Sequence, residues 1–362
     1  MCRFQVRQGI NARIATTNAD AAAVLDVPLH KWTTYKDVQV IFFDRTMGEA
    51  IKRARGFRQW LKFHVSEFDI VHIHAVFSHI CYVAADICRQ SKTPYIFRPL
   101  GTLDPWSMSQ KTWRKNLFLG MGARELLRSA TAIQYTTDLE LKSTEAFHGF
   151  VNGFVVPNGI DTDLYQATSD ADVAKNPGKS YLLYLGRIAP KKNIEKILQA
   201  FETIKKKAGF VSLRLVIAGD GDTACTTAIR NAISKHPNST QIEYRGWVTG
   251  LEKLELIANA ALFVLPSSNE NYGVVVAESL ASGVPVLISN QVYLYPEVEA
   301  AEAGWVWDSE SPLAGLIIKA LESGELAKRG QNGRDLVAAK FDWPAVVKTL
   351  TGVYAGCLED RG

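Results

Sequence analysis

The feature that most constrains this fold is a strand–helix–strand rhythm running through all 362 residues. Short β-branched runs alternate with longer stretches of helical period. The first series of candidate strands is 38–43, 69–74, 94–97, 132–135 and 154–156. A second follows at 181–185, 213–218, 242–244, 261–265 and 284–288. Several are apolar throughout rather than alternating, as strands covered on both faces are. Between them Ile194, Ile197, Leu198, Phe201 and Ile204 recur at helical spacing, and Lys205, Lys206 and Lys207 close that helix at its negative end. Such repetition requires crossovers and therefore parallel sheets, so two series predict two doubly wound α/β domains. The break is expected at Pro157-Asn158-Gly159, a turn tripeptide, and through the polar stretch 166–180.

Composition narrows the function classes. At 47% hydrophobic and 22% charged residues, disorder and low complexity are excluded, and the length suits two domains with a core each. No apolar run reaches the ~18–20 residues of a membrane helix. The opening Met1-Cys2-Arg3-Phe4 lacks the apolar centre of a secretory signal, so a cytoplasmic protein is expected. Five cysteines without a CxxC spacing read as reduced thiols. Residues 51–128 hold 13 Lys/Arg against 5 Asp/Glu. Two readings of that basic half stay open: contact with anionic substrates or the inner, acidic face of a membrane, or a solvated helical face. With a pI of 8.7 and no recognition motif, nucleic acid is not an expected partner.

The chemistry concentrates in the second series. After the candidate strand 261–265 comes a polar loop with Glu270-Asn271-Tyr272, and Gly273 then opens an apolar helix. In a parallel sheet this lies at the carboxyl ends of the strands, the ligand-facing edge. The amides of Gly273, Val274 and Val275 are free of helical partners and point outward with the positive helix end, which suits a diphosphate. One turn further in, Glu278 can accept hydrogen bonds from two ribose hydroxyls. Glu270 is placed for a hydroxylated group beyond the phosphates. The strand 181–185 ends in Gly186-Arg187, with Lys192 just beyond, and two cations there can neutralise a leaving diphosphate. Taken singly, each is also an ordinary surface charge near a loop or helix end.

These residues resemble the retaining glycosyltransferases of the group-1, family-4 type. The element Glu270-x7-Glu278, followed by Gly283-Val284-Pro285, is similar to that family's donor signature, and Arg187 and Lys192 stand where it has phosphate-binding cations. The stretches 215–222 and Gly246-Trp247-Val248 look like further donor blocks, the latter beside the nucleotide base. In the first half, 69–74 and Arg98-Pro99-Leu100-Gly101 resemble acceptor-domain elements, with His74, Arg98 and Gly101 on the acceptor side. The resemblance implies the GT-B fold, two Rossmann-like domains facing a cleft. It makes 1–157 acceptor-binding, 158–340 donor-binding, and 341–362 a helix crossing back to the first domain. It implies metal-independent hexosyl transfer with no cofactor, from a UDP- or GDP-sugar to a saccharide or lipid-linked acceptor, as in cell-surface polysaccharide synthesis. Glu270, Arg187 and Lys192 are the implied catalytic set; Glu278, Asn271, Tyr272, Gly273, Val274, Val275, Gly246, Trp247 and Val248 are the implied donor set.

Two departures shape the alternatives. The segment from Phe4 to Thr17 looks like the end of the family's first helix and its second strand, so its first strand and most of a helix are expected to be missing. That motivates a second reading, a truncated and inactive sugar-nucleotide-binding protein. Leu100 stands where many members have a histidine. A sugar phosphorylase of the same fold is a further reading, marked by phosphate-dependent release of a sugar phosphate. His72, His74 and His79 lack convincing metal spacing. Asp161-x-Asp163, Asp170-x-Asp172 and Asp220-x-Asp222 read as caps rather than metal ligands. Gly219-x-Gly221 does not continue into a dinucleotide fingerprint. Trp106, Trp113, Trp305 and Trp307 read as packing residues.

Overall fold

The computed structural model of the chain describes residues 1–20, 23–47, 53–169 and 181–359. It divides into two compact units, Met1–Pro157 with Trp343–Gly362, and Asn158–Asp342. The stretch expected as a linker, 166–180, begins inside a helix, Thr162–Ser169; from 170 onward, with Asp170 and Asp172, it lies outside the described residues.

The first unit holds β1 (Arg13–Thr17), the short pair β2 (Ala19–Asp20) and β3 (Ala23–Val24), β4 (Trp32–Tyr35) and β5 (Val38–Phe43). Strand β5 lies between β1 and β4, parallel to the first and antiparallel to the second. Strand β4 thus adds an antiparallel edge to this sheet. Lys36 and Asp37, at φ 48° and 67°, are the two left-handed residues of a type I′ turn, whose twist matches the strands it joins. A second, wholly parallel sheet follows in the order β6 (Val71–His74), β7 (Tyr95–Arg98), β8 (Ala132–Tyr135), β9 (Gly153–Val155). Its crossover helices start on side-chain caps: Ser78 Oγ accepts from the Cys81 amide and Thr137 Oγ1 from that of Glu140. The helix Trp343–Glu359 belongs to this unit. Val346 and Leu350 bury against Val156, and Trp343 stacks on Phe4 with ring centres 5.6 Å apart.

The second unit is built on six parallel strands: β10 (Tyr181–Leu185), β11 (Arg214–Ala218), β12 (Ile242–Gly246), β13 (Ala260–Leu265), β14 (Val286–Ser289) and β15 (Gly304–Trp307). Their spatial order, β12-β11-β10-β13-β14-β15, reverses direction between β10 and β13. In such a sheet the crevice for ligands opens at that switch, beyond the carboxyl ends. Apolar side chains cover both faces: β10 is buried from end to end, and Ile197, Phe201 and Ile204 of helix Ile194–Lys205 complete the core beside it. Strand β15 is not among the candidate strands, because Gly304-Trp305-Val306-Trp307 has one β-branched residue. Its register places Gly304 opposite Val286, and a Cβ there would stand 2.1 Å from the Val286 carbonyl oxygen. Trp305 and Trp307 are packed as expected. Trp106 and Trp113 correct that reading, being 39% and 67% exposed.

Candidate functional site

The loops that leave β10, β11 and β12 are joined by backbone rather than by side chains. Gly186 N donates to Ala218 O at 3.0 Å and Ile188 N to Asp220 O at 2.9 Å, extending the β10–β11 ladder past both strands. Gly219 N donates to Gly246 O at 2.6 Å, and the Tyr244 hydroxyl to Gly219 O at 2.9 Å. This close approach needs glycine. Gly219 has φ +128°, and a Cβ on it would lie 1.8 Å from the Gly186 carbonyl oxygen. The result is a depression of about 480 Å³ lined by Arg187, Ile188, Ala189, Asp220, Asp222 and Trp247. Asp222 caps helix Thr223–Ser234 through the Cys225 amide, and Asp220 accepts from the Gly221 amide and Thr226 Oγ1. Those hydrogen bonds hold both carboxyls below the ordinary carboxylate range. Trp247 is 72% exposed, whereas the Val248 side chain turns into the core.

On the other side of the switch, the loops after β10 and β13 are stitched together. Ser268 N donates to Lys191 O at 2.8 Å, and Asn193 Nδ2 to Pro266 O at 2.8 Å. Lys192, closing the 3-10 turn Pro190–Lys192, forms an ion pair with Glu270; their side chains are 11% and 19% exposed. The backbone of Glu270 is fixed by the loop after β14, through Gln291 O and the Tyr293 amide, both at 2.9 Å. Arg187 lines the depression, with its carbonyl held by the Tyr184 hydroxyl at 2.8 Å. Two of the expected charges, Lys192 and Glu270, thus meet directly.

Helix Val274–Ala281 begins at Gly273, whose φ of 72° is a left-handed entry, with no side chain capping it. Val276 N donates back to Gly273 O at 2.7 Å, whereas the amides of Val274 and Val275 precede any helical carbonyl they could bond, and Val274 is exposed there. Asn271 stands in the loop just before, half-buried. The Tyr272 ring is buried against Phe341 and its hydroxyl donates to Asn158 O at 2.8 Å. Glu278 is engaged as well. It is covered rather than open, its Oε1 accepting from Lys253 Nζ at 2.6 Å and from the Tyr165 hydroxyl at 2.9 Å. Its Oε2 is buried with no hydrogen-bond partner. Burial, then the Glu278 charge, raises the Tyr165 phenol, which keeps its proton. Lys253 and Tyr165 are 25 and 113 residues from Glu278 and carry no sequence signal; only the packing of three helices unites them.

In the first unit His74 and Arg98 end β6 and β7 and face each other in register. Gly101 donates its amide to Glu140 Oε1 at 2.6 Å, while Glu140 Oε2 accepts from the Thr136 amide and hydroxyl, each at 2.7 Å. This buried carboxylate shapes the loop after β7 and was not legible from spacing. The His72 and His74 rings stand 4.6 Å apart, with His72 Nδ1 2.7 Å from the Tyr354 hydroxyl. Among the described residues no group of three or more His, Cys, Asp or Glu is gathered as metal ligands are. Burial, then His74 and Arg98, holds His72 well below the ordinary imidazole value of 6.5. Burial, then Arg98, lowers His74 to about 4, although water reaching its accessible ring offsets part of that cost.

A pH dependence follows. Folded, these imidazoles stay neutral where the unfolded chain has them charged, so the unfolded state binds more protons and acid destabilises. The melting temperature of the first unit should be level above pH 6.5 and fall from there towards about 4. His72→Gln should flatten that fall. An equally steep acid limb in the variant would remove His72 as its source.

Comparison with known proteins places the chain. Residues 166–335 match the family of glycosyl transferases group 1, and residues 1–164 match glycosyltransferase family 4. Phosphatidyl-myo-inositol mannosyltransferase of Mycobacterium tuberculosis is 25% identical over 207 residues, 55% of this chain and 53% of that protein. Alpha-monoglucosyldiacylglycerol synthase of Streptococcus pneumoniae is 32% identical over 180 residues, 46% and 39% of the two chains. The chain spans about half the length of the first of these curated relatives and less of the second. In structure it is similar to sucrose-phosphate synthase of Thermosynechococcus elongatus, with a TM-score of 0.76 at 20% identity over 99% of this chain and 92% of that one. It is also similar to Anabaena HepE in complex with UDP and glucose, with a TM-score of 0.70 at 16% identity over 89% and 87%. With the two family matches together spanning nearly the whole chain, and with that shared architecture, the chain belongs to the group-1, family-4 glycosyltransferases of GT-B fold.

Proposed function

We propose that the chain transfers a sugar from a UDP- or GDP-linked donor, bound by the second unit, to a hydroxyl of a saccharide or lipid-linked acceptor bound by the first, with retention of configuration. The observation that carries this reading is the switch between β10 and β13, where the loop bearing Arg187 and Lys192 is tied to the loop after β13 that leads into helix Val274–Ala281. That arrangement suits a departing diphosphate, whose charge grows as the sugar–oxygen bond breaks. The acceptor oxygen bonds to the anomeric carbon on the face the diphosphate leaves, and its proton passes to a diphosphate oxygen. Glu270, fixed by two backbone hydrogen bonds and by Lys192, orients the donor sugar. The relatives' names support the chemistry: a mannosyltransferase of phosphatidyl-myo-inositol, a synthase of a glucosyldiacylglycerol, and a fold neighbour solved with UDP and glucose.

In this reading Glu278 receives the ribose hydroxyls once Lys253 gives way, because its Oε1 is occupied and its Oε2 covered in the unliganded chain. The test is a thermal-shift series with UDP, GDP, ADP and CMP on the chain and on Glu278→Gln. Ligand at a hundredfold excess over its Kd stabilises by about 2.7 kcal/mol. One nucleotide should raise the melting temperature of the parent chain, and the variant should lose most of that rise. No shift with any of the four overturns the donor site, and an undiminished shift in the variant overturns the role of Glu278.

A further inference from the structure

Two neighbouring strands of the first unit run out into strained backbone. Ala75, next after β6, has φ 74°, and Leu100, in the loop after β7, has φ 56°; both lie in the left-handed region that a Cβ disfavours. Gly101 follows at φ 74°, and Thr102 N donates to Pro99 O at 3.2 Å, so residues 99–102 close a turn of type I′. That turn ordinarily joins two hairpin strands, whereas β7 belongs to a parallel sheet. Burial does not compensate for the strain either, since Leu100 is 42% exposed. Strain of this kind persists only where surrounding groups over-determine it, and it gathers at ligand contacts. Here those groups come from one helix, Asp138–His148. Glu140 Oε1 accepts from the Gly101 amide at 2.6 Å, Ser143 Oγ donates to Asp104 Oδ2 at 3.2 Å, and His148 Nε2 donates to Leu103 O at 2.9 Å. The second oxygen of Glu140 is held by Thr136, and its place in the first turn sets the carboxylate against the positive helix end. A buried charge is thus committed to the backbone of a turn that a relaxed loop would not need.

We propose that this clamp presents Leu100 as an apolar contact for the acceptor, with Leu100 setting acceptor specificity and Glu140 acting as its positioning residue. The turn stands at the carboxyl edge of β6 and β7, where sheets of this class take their ligands. A leucine side chain offers burial and dispersion but no hydrogen bond. The acceptor it selects therefore carries hydrocarbon beside its reacting hydroxyl, because a charged or hydrogen-bonding group set against it would be left unpaired. This deepens the function proposed above and rests on its reading of the first unit as the acceptor-binding one.

The test sets melting temperature against the KM for two probe acceptors, hexyl and methyl β-D-glucoside. The donor is the UDP- or GDP-hexose whose nucleotide raises the melting temperature. The parent chain should favour the hexyl glucoside by about tenfold in KM. Leu100→Gly relieves the left-handed strain, so it should melt roughly 2–4 °C higher. Its KM for the hexyl glucoside should nevertheless rise about tenfold, to that of the methyl one. A merely structural residue would move stability and KM together. Glu140→Gln keeps an acceptor for the Gly101 amide but turns its own amide on the Thr136 donors, so it should melt lower and hold the parent KM. Glu140→Ala should lose both; if it does not fold, the other two variants decide. Nucleotide-induced thermal shifts should be equal in all folded variants. A lower melting temperature in Leu100→Gly, or a KM within about twofold of the parent value, overturns the proposal. So does a parent chain that binds nucleotide yet transfers to neither glucoside, or to both alike, an outcome that leaves the donor site standing. A parent chain with no nucleotide shift removes the function proposed above and this contact with it.

Discussion

Gly219→Ala should destabilise the second unit by about 3 kcal/mol or more, combining left-handed backbone strain with an unrelievable overlap. The added Cβ would stand 1.8 Å from the carbonyl oxygen of Gly186, and that atom is backbone already bonded into the extended β10–β11 ladder. For a unit of this size the melting temperature should fall by roughly 6–12 °C. The walls of the depression lined by Arg187 and Asp220 separate in the same event, so nucleotide-induced stabilisation should vanish with it. Gly209→Ala is the control, because a Cβ there meets nothing within 4 Å. Calorimetry on both variants decides the matter. Equal melting temperatures for Gly219→Ala and the parent would show that the loops part at no cost.

Lys192→Ala should lower kcat by about 10²–10³, the usual loss when one charge-stabilising donor is removed from a transition state. The pairing adds a second expectation. Glu270→Ala strips Lys192, a side chain 11% exposed, of its carboxylate, and should impair both folding stability and turnover. Because the two side chains act as one unit, the double variant should be little worse than the poorer single one. The measurement is steady-state transfer, or donor hydrolysis, with the nucleotide identified by thermal shift. Turnover at the parent level in Lys192→Ala would remove it from the mechanism. Multiplied losses in the double variant would show that the pair does not act together.

Much of the scaffold was legible before any coordinates. Three strands, Val38–Phe43, Ala132–Tyr135 and Tyr181–Leu185, have the limits that the sequence suggests; the last is apolar throughout because it is buried on both faces, whereas Gln39 and Gln134 interrupt the other two. Four strands escaped, among them the two-residue pair Ala19–Asp20 and Ala23–Val24. Trp32–Tyr35 exists through a two-residue turn at Lys36-Asp37, neither of which is a glycine, and Gly304–Trp307 is carried by tryptophans. The candidate site was legible as residues but not as partners. Lys192 and Glu270 are 78 positions apart, and spacing along a chain holds no record of a contact that the sheet order creates. Nor does it record which side chains turn inward, as Tyr272, Val248 and Glu278 do.

By itself, then, the sequence determined the periodicities, the two-fold repetition of strand–helix units and the residue types gathered at strand ends, since each follows from local geometry and burial pattern. The tertiary structure alone decided the reversal of strand order between β10 and β13, which turns separate loops into one crevice. It also decided the electrostatics. A carboxylate taken from water demands a partner, and packing supplied Lys253 and Tyr165 to Glu278 from helices that no motif links to it.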